Sequence, residues 1–215
     1  MGSFKIGEVG RANFPVCFGG GIKLDGFKIY SISDRYIEYL QKYCPNVYSN
    51  KVMTRNHNRK YVGIILICGG LCYYIPLSSP KNTDFQRAGN KAVIKKSIVP
   101  IMRIVAKNRE GNKELLGTLR ISHMIPVPEK ELSLYDIKNE SDLKHRKLVE
   151  NEMIFIRKNR DRIQKNAETI YRQKIMGDMV PGYVDVALDY KLLEVMCKIF
   201  ERLVWYQTKR SNMIC

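Results

Sequence analysis

Two runs of β-branched, aromatic and aliphatic residues, 61–68 and 71–77, are separated only by Gly69-Gly70. A Gly-Gly link between such runs specifies a β-hairpin, because glycine enters the positive φ of a tight hairpin turn without steric cost. This hairpin sets the pattern for its neighbours. Residues 27–32 alternate as a strand, and Ser33-Asp34 then caps a helix over 35–43 that Pro45 ends. Residues 98–105 and 115–122 form a second strand pair around Asn108-Arg-Glu-Gly-Asn112, and 124–127 adds a short apolar strand. Strands that pair locally, with no helix between them, exclude a parallel β/α fold.

Beyond residue 141 the period changes. Leu143, Val149, Met153, Ile156, Ile163 and Ile170 recur at helical spacing, Pro181-Gly182 breaks the pattern, and residues 185–206 carry a second apolar stripe. The fold class expected is α+β: a small β-barrel over about 27–127 with appended helices, and a helical C-terminal part over about 141–208. A chain of 215 residues accommodates one such domain, 27–215. Residues 1–26 hold seven of the 15 glycines with little periodicity and read as a flexible extension. Their Gly19-Gly20-Gly21 run lacks the Gly-Lys-Ser/Thr of a phosphate loop.

Charge narrows the choice of partner. Thirty-seven Lys and Arg against 21 Asp and Glu give a net charge of +16, which attracts polyanions. The excess is concentrated: Lys51, Arg55, Arg59, Lys60, Lys81, Arg87, Lys91, Lys95, Lys96 and Arg103 share their stretch with one acid, Asp84. Two basic loops flanking the hairpin suit a nucleic-acid groove, with Tyr48, Tyr61, Tyr73, Tyr74 and Phe85 available to stack on unpaired bases. Tyr48, Lys51, Arg55, His57, Lys60, Arg87, Lys91, Lys95 and Lys96 are the candidate RNA-binding residues. No apolar run reaches the length of a membrane span, and the acids at 185, 189, 194 and 201 argue against a membrane-surface helix. The six cysteines form no C-x-x-C and the three histidines are scattered, so no metal site is expected and the thiols read as reduced, in a cytoplasmic protein.

One segment has the chemistry of an anion site: Pro76-Leu-Ser-Ser-Pro-Lys81, at the end of the hairpin's second strand. Two hydroxyls can hold phosphate oxygens, and a lysine can offset charge that develops on them. No carboxylate pair suited to magnesium, no G-x-S-x-G and no H-E-x-x-H accompanies it. On residue types alone, a nuclease and a module that holds structured RNA without cutting it both remain open.

Lys28-Ile-Tyr-Ser-Ile-Ser-Asp-Arg-Tyr-Ile-Glu-Tyr-Leu40, Arg59-Lys-Tyr-Val-Gly-Ile-Ile-Leu66, Tyr74-Ile-Pro-Leu-Ser-Ser-Pro-Lys81 and Met124-Ile-Pro-Val127 together resemble the ToxN/AbiQ/CptN endoribonuclease toxins of type III toxin–antitoxin systems, CptN-like members in particular. The resemblance implies an SH3-like barrel of the Kid/MazF kind. It implies metal-independent cleavage of RNA without a cofactor, through 2′-OH attack, leaving 2′,3′-cyclic phosphate and 5′-OH ends. It also implies inhibition by a repeated RNA pseudoknot within a closed protein–RNA assembly. Carried over by position, the catalytic residues would be Tyr36, Arg59, Ser78, Ser79 and Lys81. Lys81 and Arg59 would bind the phosphate, the serines would orient it, and Tyr36 or a lysine of lowered pKa would move the proton. His57 is an outside candidate for that step, and His123 is read as a packing histidine.

Overall fold

The computed structural model describes residues 27–51, 57–108, 110–177 and 182–212. The extension expected over 1–26, and candidate Arg55, lie outside these residues. The Gly-Gly hairpin forms as expected: β2 (Tyr61–Cys68) and β3 (Leu71–Ser78) pair antiparallel, with Gly69 at φ 56° and Gly70 at φ 79°. Both turn residues at positive φ match the right-handed twist of the strands they join.

Ahead of the hairpin run β1 (Lys28–Ile32) and α1 (Asp34–Tyr43). Ser33 caps α1 by accepting the Tyr36 N–H at 3.3 Å, and the helix turns Tyr36, Ile37 and Leu40 inward. Ser33 and Arg35 both donate to the buried Glu131, which ties the start of α1 to a distant turn.

After β3 come β4 (Phe85–Ala88), β5 (Lys91–Ile94), β6 (Ile101–Lys107), β7 (Lys113–Arg120), β8 (Ile125–Pro126) and β9 (Leu132–Leu134). The main sheet is antiparallel in the order β6-β7-β3-β2-β1-β9, with β8 also on β3. β3 is its hinge, pairing β2 and β8 along most of its length and β7 at Leu77 and Ser78. The strand path has two ends, β6 and β9, so the sheet is not closed as a barrel; α2 (Leu143–Lys158) packs on β6 and β7 at one of those ends. The second basic loop is also not a loop, because β4 and β5 pair as a separate, largely exposed hairpin.

The helical part continues with α3 (Arg160–Met176) and α4 (Tyr190–Asn212). The stripe read over α2 and α3 is buried at Val149, Met153, Ile156, Ile163 and Ile170. α4 buries Leu193, Cys197 and Phe200, but Leu203, Trp205 and Tyr206 are exposed farther along it. Tyr73, Tyr171 and Tyr190 meet in the core, where Tyr73 and Tyr171 donate to Glu194 at 2.7 and 2.6 Å. Among the described residues Cys44, Cys72 and Cys197 are free thiols. Among the described residues no helix is long and apolar enough to cross a membrane.

Candidate active site

The end of β3 is clamped by Arg59. This guanidinium is only 7% exposed and donates to the carbonyls of Ser49 (3.1 Å) and Leu77 (2.9 Å) and to Ser78 Oγ (2.9 Å). A planar fork of five N–H donors suits this task, since one side chain can hold the segment before β2 against the last residues of β3. Backbone bonds reinforce the clamp: Leu77 N–H donates to Lys60 O at 2.9 Å, and Arg59 N–H to Asn50 O at 3.1 Å. Ser78 is thereby buried, while Ser79 and Lys81 beyond it are exposed.

Lys81 is set in place by Asp84. The Asp84 carboxylate accepts the Lys81 N–H at 3.0 Å, and the Asp84 N–H returns to Lys81 O at 2.9 Å. Almost no Asp84 surface reaches solvent, and Arg103 (3.2 Å) and Arg120 (3.4 Å) neutralise it. The lone acid of the basic stretch is thus the anchor of the turn, and Arg103 is a buried partner rather than part of a solvent-facing groove.

Tyr48 draws the cluster together. The Arg59 guanidinium lies 4.7 Å from its ring centroid, the Lys81 ammonium 6.0 Å, and the ring of His123 stacks on it at 4.3 Å with 18° between planes. His123 follows β7, is half-buried, and has Nδ1 3.0 Å from Ser122 Oγ. Burial first, then the positive charges of Arg120, Arg59 and Lys81, push its pKa down to about 4, so the imidazole is neutral at pH 7. The sequence reads His123 as a packing histidine; the structure places it on the rim of the serine–lysine cluster. Only the approach of β7 to β3 brings it there.

Beside the cluster, β3, β7 and α2 enclose a cleft of about 420 Å³ that includes Arg59, Lys60, Ser78, Ser79 and Glu152. Lys60 Nζ donates to Ser31 Oγ at 3.3 Å and lies 4.1 Å from the Tyr135 ring centroid, and burial lowers its pKa. Also lining the cleft, His57 and His145 stack at 3.9 Å with 4° between planes, and His57 Nε2 is 3.4 Å from Asp142. Ligand atoms of His57, Glu140 and His145 fall within 4.8 Å of one another, a grouping the scattered sequence positions do not suggest. Imidazole lone pairs lie in the ring plane, so one of these parallel rings must turn before both can hold one ion.

The other candidates divide. Tyr36 is fully buried, donates to Pro126 O at 2.7 Å and packs edge-on against Phe200; burial, first, raises its pKa. Its hydroxyl is used inside the core, and Tyr36 presents no surface in this structure. Tyr61, Tyr73 and Tyr74 are buried as well and cannot stack on bases. Arg87, Lys91 and Lys96 are exposed on or next to the β4–β5 hairpin, and Lys95 is half-buried. Lys51 is exposed but paired with Asp34 at 2.7 Å.

Residues 28–198 match the model of a family described as toxin ToxN of type III toxin–antitoxin systems. The endoribonuclease ToxN of Pectobacterium atrosepticum is 29% identical over 152 residues, covering 71% of this chain and 84% of that protein. The endoribonuclease AbiQ of Lactococcus lactis is 31% identical over 184 residues, covering 84% and 92%. A solved structure described as selective toxin inhibition by a non-coding RNA pseudoknot, in a bacterial type III system, superimposes with a TM-score of 0.65. It is 25% identical, with 82% of this chain and 99% of that one covered.

Proposed function

The chain belongs to the ToxN family of type III toxin–antitoxin toxins, and from this premise we propose that it cuts RNA at the end of β3 with the substrate's own 2′-OH as nucleophile. It is an endoribonuclease. The observation that carries the site is the Arg59–Ser78 bond, with Lys81 and neutral His123 both beside the Tyr48 ring. Because Arg59 donates into Ser78 Oγ, the serine's own proton is directed outward, toward a phosphate oxygen. Ser79 adds a second donor, and Lys81 meets the charge that builds on the phosphorane.

His123, with Nδ1–H given to Ser122 Oγ, presents the Nε2 lone pair to the 2′-OH. A bound phosphate offsets the cations that depress its pKa and so raises its basicity toward the working range. His123 Nε2 takes the 2′-OH proton as O2′ bonds to phosphorus, the bond to O5′ breaks as O5′ takes a proton from water, and the ends are a 2′,3′-cyclic phosphate and a 5′-OH. The reaction as drawn uses no metal ion or cofactor.

Further readings rest on the same premise. Repeated RNA pseudoknots, wrapping the toxin in a closed assembly, are the inhibitor, and the net charge of +16 and the exposed cations of the β4–β5 hairpin favour such a polyanion. Residues 27–215 act as one toxin domain, in the cytoplasm, where its substrate is found. The hinge at β3, which pairs on both flanks, supports reading the sheet as a splayed relative of the SH3-like barrel. The test is cleavage of single-stranded RNA in EDTA with end-group analysis, for wild type and His123→Asn. Cyclic-phosphate ends and a rate about 10²- to 10⁴-fold lower in the variant are expected. RNA bound but uncut by wild type identifies a non-catalytic module instead, and 3′-OH ends eliminate 2′-OH attack.

A further inference from the structure

The cleft between β3, β7 and α2 has one feature the cleavage scheme leaves unused. Glu152, on α2, is 7% exposed, lines the cleft and makes no hydrogen bond or ion pair among the described residues. Space is kept for it: a Cβ at position 117 would collide with its carboxylate, so Gly117 on β7 lets the side chain lie flat against the strand. A buried carboxyl without a partner is costly and uncommon in a folded protein, and one that faces a cavity is suited to pair with whatever enters.

The walls indicate what that is. Leu116, Leu148 and Val149 give apolar sides, and Ser78, Ser79, Arg59, Lys60 and Lys144 line the same cleft. The volume of about 420 Å³ lies within the roughly 300–1,000 Å³ usual for small-ligand clefts. A flat, apolar-faced ligand with polar edges, attached to a phosphate held at the serines, is a nucleobase. We propose that this cleft is a base-reading subsite that seats the nucleobase beside the scissile phosphate, and that Glu152 selects bases carrying an exocyclic amine over uracil.

The selection follows from donor and acceptor patterns. A carboxylate only accepts. Adenine, cytosine and guanine each offer amino N–H donors on the Watson–Crick edge, whereas uracil flanks its single N–H with two carbonyl oxygens that a carboxylate repels.

This inference rests on the cleavage site proposed above, and binding tests it separately from catalysis. Uncleavable 2′-O-methyl hexamers of cytidine and of uridine differ in the amine while keeping similar rings. At pH 8 wild type is expected to bind the cytidine hexamer at least about tenfold more tightly, and Glu152→Gln, which can both donate and accept, less than about threefold. Equal affinities in wild type, or the same ratio in a Glu152→Gln protein that melts cooperatively, overturn the assignment. Cleavage of unmodified RNA is measured in parallel. A uniform loss of rate in the variant with the binding ratio preserved assigns Glu152 to proton transfer and also overturns base reading. A binding preference in a wild type that does not cut sustains the subsite and removes the nuclease reading alone.

Discussion

Glu152→Gln should make the protein more stable, and mainly at neutral and alkaline pH. Burial raises the carboxyl from 4.5 to about 7, with no opposing contribution from a cation. The folded state therefore prefers the protonated form, and the sign follows from linkage. Below the unfolded value the acid is neutral in both states and carries no charge penalty. As pH rises toward 7 the unfolded chain releases the proton first, so the folded state loses ground until both forms are ionised. A difference of about 2.5 units corresponds to about 3 kcal/mol at pH 8, at 1.36 kcal/mol per unit. For a protein of this length that amounts to a rise in melting temperature of roughly 6–12 °C. The assay is urea and thermal unfolding of wild type and Glu152→Gln at pH 5 and pH 8. Subtracting the two proteins at each pH cancels the contributions of His123, His145 and the surface carboxylates. A difference of about 1 kcal/mol or less at pH 5 that opens to about 3 kcal/mol in favour of the variant at pH 8 is expected. A difference that is the same at both pH values would show that the carboxyl is already solvated or paired, and would refute the reasoning.

Three other outcomes are expected. Lys81→Ala should slow single-turnover cleavage by about 100- to 1,000-fold, or about 2.7–4 kcal/mol of transition-state stabilisation, with a much smaller loss of RNA affinity; wild-type rates would remove Lys81 from the site. Asp84→Ala leaves Arg103 and Arg120 buried without their shared partner, so chemical unfolding should show a loss of about 3–5 kcal/mol, and a loss below about 1 kcal/mol would mean water enters the network. Neutralising Arg87, Lys91 and Lys96 on or beside the exposed hairpin should flatten the log–log salt dependence of RNA binding by roughly 0.7–0.9 for each phosphate that no longer meets a cation; an unchanged slope in the triple variant places that hairpin outside the interface.

What the sequence discloses here depends on how far apart the deciding residues lie. The Gly-Gly turn, the Ser33 cap and the stripes of α2 and α3 are local, and each forms where its pattern places it. Pro76 to Lys81 announces its hydroxyls and its lysine because they are adjacent in the chain. Sheet closure is not local. β9 is three residues long and joins β1 across about half the chain, and nothing in its text distinguishes an edge strand from a strand that completes a barrel. The Gly89-Asn90 turn of β4–β5 is legible as a hairpin signal, but the surrounding charge makes the segment read as a loop.

The site residues follow the same rule. A tyrosine on an amphipathic helix reads equally as ligand or as core, and the carbonyl of Pro126, supplied from a distant strand, decides for core at Tyr36. His123 joins the site only because β7 delivers it next to Tyr48. Glu152 does carry a local signal: it stands three residues after Val149 and one before Met153, on the stripe that α2 turns inward. An acid on a buried stripe is either paired or waiting for a ligand. Counting the acids of that helix as a solvated set hides the one whose position demands a partner. Asp84 and Glu152 show the two resolutions within one protein. The first is buried and ion-paired with two arginines, and it fixes the turn that carries Lys81. The second is buried and unpaired at the wall of a cleft that Ser78 and Ser79 also line. Of the two, only the one that lines the cleft can read what binds, since Asp84 is buried with its charge held by Arg103 and Arg120.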